Sequence, residues 1–153
     1  MWYMKPVRVT VDVPQPRDEV YDFLDVLGNH EPFTNHFLQD WELSGPSSGV
    51  GAKARMRVAM PGPEDWVDME VIKAERPRTS VEESTSRGGK RHTRGTYVLD
   101  ELPDGGTKIT FTIEWLQAPL SDRLGAPVTR AVMRRANRKA MERLAEALAA
   151  RSG

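Results

Sequence analysis

The stretch VTVDVPQPRDEVYDFL (residues 9–24) joins a strand pattern to a helix pattern. Its three leading valines alternate with polar residues, as in a strand that buries one face. After Pro14 and Pro16, large apolar residues recur at the three- and four-residue spacing of one helix face. The sequence therefore predicts a strand that ends at the prolines, followed by a short amphipathic helix that packs under a sheet.

The remainder of the chain predicts strands and then one long helix. A second short helix is expected within GNHEPFTNHF (28–37), because proline is tolerated in a first helical turn. Period-two alternation from residue 38 to residue 116 predicts about six strands, with a hairpin at PDGG (103–106). From about Ser121 to Ala150 one apolar stripe predicts a helix, whose start Gly125 and Pro127 should bend or delay.

Composition limits the possible classes of protein. A chain of 153 residues suits one domain, 1–153, with a sizeable core. The absence of cysteine excludes disulfides, thiol catalysis and cysteine-ligated zinc. The apolar runs are too short for a transmembrane span, and the first residues do not resemble a signal peptide. The default expectation is a cytoplasmic protein without membrane insertion.

These elements predict an α+β architecture: a strand, two short helices and about six strands in a curved antiparallel sheet wrapped around a long C-terminal helix. The alternating strands leave one apolar sheet face that must be covered. Only the terminal helix is long enough to cover it. Because a twisted sheet and a straight helix differ in shape, a gap is expected near one end of the helix.

This pattern resembles the START-like, helix-grip superfamily (SRPBCC), which includes the polyketide cyclase/dehydrase and lipid-transport family. The resemblance spans residues 7–149 and is carried by VTVDVPQPRDEVYDFL, by the hairpin GTYVLDELPDGGTKITFTIEW (95–115) and by the long helix. It implies the helix-grip fold and an apolar ligand cavity. The superfamily contains carriers, cyclases and dehydratases, so the resemblance alone selects no activity.

The inward strand faces and the terminal helix predict an apolar cavity. Methionine is frequent among the inward positions and adapts to ligands of different shape. Segments 29–37 and 61–65 are expected to form the mouth. The predicted ligand-binding residues are Phe33, Phe37, Met56, Val58, Met60, Met69, Tyr97, Phe111, Ile113, Trp115, Met133 and Met141. The alternative is that these side chains simply fill a solid core.

A set of polar residues could add chemistry to the cavity. If Val81 faces inward, strand alternation turns Glu83 inward too, and a buried carboxylate needs a partner or a raised pKa. A Glu83–Arg91 pair with the Tyr97 hydroxyl could hold a ligand carbonyl or carboxylate. Arg94 is an alternative to Arg91. Such a general base with oxyanion donors suits an enolising enzyme. The alternative is that these charges lie in water at the mouth.

Other chemistries find little support in the sequence. His30, Glu31 and His36 lack metal-ligand spacing, and Pro32 disturbs their helical register, so neither a metal site nor any other cofactor is expected. The basic tail from Arg123 onward could find an internal acidic partner, because the net charge is zero. Nucleic acid is therefore not an expected partner.

Three functions remain open at this point. The leading hypothesis is binding of a hydrophobic or aromatic small molecule, such as a lipid, a polyketide or a quinone-like compound. The second is a cyclase, aromatase or dehydratase that uses the same cavity. The third is a protein-interaction module that uses the basic C-terminal helix. The sequence does not indicate an oligomeric state.

Overall fold

A computed structural model describes residues 4–152, so the predicted span of 1–153 extends beyond it by residues 1–3 and 153. The helices are α1 (Arg17–Asp25), α2 (Glu31–Thr34), α3 (Leu120–Leu124) and α4 (Ala126–Ser152), with short 3₁₀ helices at Leu27–His30 and Arg87–Gly89. The strands are β1 (Val7–Val13), β2 (Leu38–Ser44), β3 (Lys53–Val58), β4 (Asp65–Glu75), β5 (Thr79–Ser86), β6 (Arg91–Glu101) and β7 (Thr107–Gln117).

The strands form one antiparallel sheet of seven, in the order β1-β7-β6-β5-β4-β3-β2. Strands β2 to β7 pair in sequence order because short turns join them, and β1 pairs with β7. One strand, two short helices, six strands and a terminal helix confirm the predicted helix-grip class.

The junction after β1 explains the two prolines of the opening stretch. Pro16 occupies the N-cap of α1 with an extended backbone, which directs the chain from sheet to helix. The β6–β7 hairpin packs against this junction, where the Thr107 hydroxyl donates to the Gln15 carbonyl at 2.8 Å. A Cβ at Gly106 would lie 2.4 Å from the Val13 carbonyl oxygen, so only glycine permits this approach.

Helix α1 and the C-terminal half of α4 build the main core with the inner sheet face. Val20, Phe23 and Leu24 of α1 are buried, in agreement with the predicted helix face. They share one cluster with aromatic and aliphatic residues of β6 and β7. From α4 this cluster receives Ala140, Met141, Leu144 and Leu148. The helix is therefore anchored at its C-terminal end.

The N-terminal part of the long helix is arranged differently. The helix is interrupted at Gly125, which separates α3 from α4. This confirms the predicted disturbance at the start of the terminal helix. Val128 and Val132, at the start of the predicted apolar stripe, remain 68% and 37% exposed. Both valines line the predicted gap, while Ala126 and Met133 in the same part of the helix pack beside Trp115 of β7. Within residues 4–152, none of the helices has the length and apolarity needed to cross a bilayer.

Candidate ligand-binding cavity

A cavity of about 350 Å³ lies between the inner sheet face and the N-terminal half of α4. Its apolar lining comes from β2 to β4 with the segments that adjoin them, from β7 and from α4. The apolar lining side chains are Phe37, Leu38, Trp41, Met56, Val58, Met60, Val67, Met69, Phe111, Ile113, Trp115, Val128, Val132 and Met133. The volume falls within the range of pockets that hold small organic ligands.

Most residues of the predicted apolar lining do face this space. Phe37, Met56, Val58, Met60, Met69, Tyr97, Phe111, Ile113, Trp115 and Met133 all lie on the cavity wall. Phe33 and Met141 do not, because they are packed in the main core with 0% and 2% exposure. Their placement at the cavity was therefore wrong. Both side chains lie on helix faces that pack against other core residues, so they do not reach the cavity.

The exposed part of the lining locates the mouth. It consists of Pro61 and Pro63 in the β3–β4 turn, Arg87 after β5, and Val128 and Val132 of α4. The turn 61–65 therefore lies at the mouth, as expected. Segment 29–37 does not, because its lining members, His30, Thr34 and Phe37, are 4 to 6% exposed and form a closed wall.

The inward phase of β5 is opposite to the predicted one. Glu82, Ser84 and Ser86 line the cavity, whereas Glu83 and Thr85 lie on the outer sheet face. The prediction placed apolar Val81 inside and derived Glu83 from it. Val81 instead pairs with Lys73 and Thr96 on the outer face and is nevertheless only 9% exposed. Apolar character therefore gave the wrong phase in this strand.

The partners of Glu83 follow from this reversal. On the outer face its carboxylate accepts hydrogen bonds from His92 at 3.0 Å and from Arg94 at 3.3 Å. Arg94 therefore lies outside the cavity together with Glu83. The predicted Glu83–Arg91 pair is wrong, because strand alternation separates the two side chains on opposite faces of the sheet.

Glu82, and not its neighbour Glu83, is the buried carboxyl of this strand. It is 8% exposed, and desolvation raises its pKa to about 8, so that it is largely a neutral acid at neutral pH. Within residues 4–152 neither a hydrogen bond nor an ion pair reaches this carboxyl. It lies over Gly95, whose missing Cβ would be 3.1 Å from Glu82 Oε1 and 2.9 Å from the Phe111 ring.

Two further polar side chains line the same cavity, Tyr97 near this carboxyl and His30 beside Tyr97. Tyr97, one inward position beyond Gly95 on β6, is 4% exposed, and burial together with the Glu82 charge raises its pKa. The ring of His30 lies 5.7 Å from the Tyr97 ring. Nε2 of His30 donates to the Leu24 carbonyl at 2.7 Å, and burial lowers the His30 pKa to about 4. All three groups are therefore uncharged at neutral pH.

A charged cluster occupies the mouth end of the same wall. Arg91 faces the cavity as predicted, but its partner is Asp122 of α3, to which it donates at 2.6 and 2.7 Å. Its Nη1 also lies 3.5 Å from the Asp65 carboxylate. This bidentate pair fixes α3 to the end of β6. Asp122 was missed because it is one hydrophilic residue in a distant helix.

His30 and His36, which were considered as metal ligands, form hydrogen bonds with other parts of the protein. His36 donates through Nε2 to the Ala136 carbonyl at 2.9 Å, and its Nδ1 lies 3.0 Å from the Arg143 guanidinium. His30 is bound to a carbonyl of α1, as described above. In the part of the chain that the structure describes, no three potential metal-ligating side chains come together.

Comparison with solved structures supports the fold. A protein from Thermus thermophilus (TTHA0849) superposes with a TM-score of 0.80 at 19% identity, over 97% of this chain and 100% of that chain. The ZhuI aromatase/cyclase from Streptomyces sp. R1128 gives 0.77 at 18% identity, over 99% and 97%. Major latex-like protein 151 from Panax ginseng gives 0.60 at 10% identity, over 86% and 95%.

Sequence comparison supplies the family. Among curated proteins, none is similar enough to count as a relative. The model of the family described as polyketide cyclase / dehydrase and lipid transport matches residues 4–153. This match covers almost the whole chain and agrees with the helix-grip topology of the sheet and α4. The chain therefore belongs to the polyketide cyclase / dehydrase and lipid transport family.

Proposed function

We propose that this protein binds a hydrophobic or aromatic small molecule in the cavity between the sheet and α4. The observation that carries the proposal is the cavity itself, which has about 350 Å³ of space and methionine side chains from three separate elements on its wall. Burial of ligand surface against this wall would contribute about 25 cal/mol per Å² before the entropic cost of binding. Lipid, polyketide and quinone-like compounds all offer such surface.

A cavity-filling substitution tests the proposal. Ser84 lines the cavity and is half-buried, so that phenylalanine at this position would occupy ligand space. We expect Ser84→Phe to weaken binding of the uncharged fluorescent probe N-phenylnaphthylamine by about tenfold or more. Probe titration monitored by fluorescence gives the dissociation constants.

The matched control is the next residue of the same strand. Thr85 lies on the outer face, so Thr85→Phe adds the same ring without entering the cavity. This variant should bind the probe like the wild type. Equal binding by wild type and Ser84→Phe would place the probe elsewhere and reject the cavity as the binding site.

An enzyme of the cyclase or dehydratase type is the second candidate. The observation that favours it is the neutral Glu82 acid, since a group with a pKa of about 8 can give and recover a proton near neutral pH. The neighbouring Tyr97 hydroxyl would be a second donor to a ligand oxygen. The likeness to an aromatase/cyclase fold adds support by analogy only.

Glutamine at position 82 separates binding from turnover. Glu82→Gln keeps the size and neutrality of the side chain but cannot transfer a proton. If the cavity is catalytic, this variant should bind the probe normally and lose turnover of a substrate that the wild type converts. Unchanged turnover would reject Glu82 as the acid.

The interaction-module hypothesis stays a prediction. Several cations of α4 have partners within the molecule, because Arg130 donates to the Lys5 and Pro6 carbonyls and Arg151 lies over the Phe23 ring. Arg135, Arg138 and Lys139 are exposed on the helix. Charge reversal at these exposed positions, followed by partner capture, remains the test of this hypothesis.

A further inference from the structure

The Glu82 carboxyl is built into the cavity without a partner of its own. Its side chain is 8% exposed and belongs to the cavity wall. Buried polar groups in folded proteins normally have hydrogen-bond partners, because an unsatisfied one costs free energy. Within residues 4–152, nothing hydrogen-bonds to this carboxyl. A buried group of this kind that faces an open cavity points to a ligand as its missing partner.

The two arginines of the neighbouring strand β6 do not neutralise this carboxyl, because they pair with other carboxylates. Arg91 is four residues from Gly95 along β6, a distance of about 13 Å in an extended strand. It is held by Asp122 and Asp65 at the mouth. Arg94 lies on the other sheet face with Glu83. The part of the cavity around Glu82, Gly95 and Tyr97, as residues 4–152 form it, therefore contains no positive charge.

The neighbours of the carboxyl are uncharged and aromatic. Glu82 Oε1 lies over the bare backbone of Gly95, beside the Phe111 ring. The Tyr97 ring is 4.6 Å from the Phe111 ring, and the His30 ring lies 5.7 Å from the Tyr97 ring. An aromatic ligand with one polar atom would meet stacking surfaces and a donor at the same place.

We propose that Glu82 is the specificity-determining residue of the cavity, where its carboxylic acid donates a hydrogen bond to an oxygen of an uncharged aromatic ligand. This inference rests on the proposed function and names the charge class of the ligand. A ketone, quinone or other neutral acceptor of this shape is favoured. A carboxylate of the same shape is rejected, because it would be buried beside an acid and aromatic rings without a cation.

The pH dependence follows from the groups that line the cavity. The titratable side chains on its wall are His30, Asp65, Glu82, Arg87, Arg91, Tyr97 and Asp122, while α4 contributes none. The pKa of His30 is about 4 and burial raises that of Tyr97 above its ordinary value, so neither changes charge between about pH 6.5 and pH 9. Ionisation of Glu82, with a pKa of about 8, falls inside this interval.

Three naphthalene derivatives of similar shape provide the test. Acetylnaphthalene carries a neutral acceptor, ethylnaphthalene has no oxygen, and naphthoate is a carboxylate. Each competes with N-phenylnaphthylamine for the wild-type protein at about pH 6.5, where Glu82 remains a neutral acid. Acetylnaphthalene should displace the probe at concentrations about tenfold or more below those of naphthoate.

Two variants assign the effect to Glu82. In Glu82→Leu, the affinity ratio of acetylnaphthalene to ethylnaphthalene should fall about fivefold, the value of one neutral hydrogen bond. In the wild type, acetylnaphthalene affinity should fall about tenfold between about pH 6.5 and pH 9, whereas Glu82→Gln should show no such loss. The Gln variant retains a donor and keeps the test valid if the Leu variant does not fold.

The outcomes distinguish this inference from the function on which it rests. Failure of the wild type to bind N-phenylnaphthylamine would overturn both. Probe binding with equal competition by naphthoate and acetylnaphthalene would overturn only the role of Glu82. So would a wild-type pH profile identical to that of Glu82→Gln.

Discussion

Replacing Glu82 by glutamine should make the protein more stable than the wild type at alkaline pH, by about 3 to 5 kcal/mol near pH 9. The cause is the rise of the Glu82 pKa from 4.5 to about 8 through burial. Between these values the folded state retains a proton that the unfolded state has released. The free energy of unfolding of the wild type therefore decreases as the pH rises through this window. Glutamine does not titrate, so the variant lacks this contribution.

Urea unfolding from about pH 5 to pH 9 measures this effect as the difference between variant and wild type. The two proteins should differ by about 1 kcal/mol or less near pH 5, where both side chains are neutral in the native state. Glu83→Gln is the matched control, since Glu83 lies on the outer face with His92 and Arg94. It should retain the wild-type pH slope. Parallel profiles for wild type and Glu82→Gln would contradict the buried, unpaired carboxyl.

The second large effect concerns the grip of the sheet on α4. Leu144 is 0% exposed and packs in the cluster that joins α4 to β6 and β7. Leu144→Ala should lower the free energy of unfolding by about 2 to 5 kcal/mol, because it removes buried methyl groups and leaves a space that packing cannot close. Denaturant unfolding gives the value directly.

The control lies just upstream of the same helix. Leu124 at the end of α3 is 78% exposed, so Leu124→Ala should change the free energy of unfolding by about 0.5 kcal/mol or less. Similar small losses at both positions would mean that α4 is not held against the sheet as described.

The fold was predictable from the sequence because several local signals agree. The alternation of Val9 to Val13, the proline break and the hairpin around PDGG each specify one element, and their order specifies the topology. Gly125 also marked the interruption of the terminal helix correctly. These signals depend on neighbours within a few residues, which a single sequence displays.

The site was only partly predictable, because the positions of several of its side chains depend on tertiary packing. Strands β3, β4 and β7 alternate cleanly, so their inward residues were identified. In β5, Val81 is buried although it lies on the outer face. Because an apolar residue was expected to face inward, its phase pointed to Glu83 instead of Glu82. No local signal in β5 marked the correct phase, because both phases are mainly polar; the pairing of Glu82 with Gly95 appears only in the register of β5 with β6.

Pairs between distant segments were not predictable from one chain. The partnership of Arg91 with Asp122 spans 31 residues and depends on where α3 meets the end of β6. Likewise, Met141 has the chemistry of a cavity residue, but it lies in the C-terminal half of α4, which packs in the main core. Residue type predicted what such side chains can do, while the docking of α4 decided which of them meet the cavity.

Methionine methyl NMR tests the cavity most directly, because some methionine side chains line the cavity and Met141 does not. Met56, Met60, Met69 and Met133 lie on the cavity wall, whereas Met141 is buried in the main core away from it. Addition of N-phenylnaphthylamine to methyl-labelled protein should shift the four cavity signals strongly and leave that of Met141 nearly unchanged. Unshifted cavity methyls at saturating probe, or a shift concentrated on Met141, would contradict a ligand site between the sheet and α4.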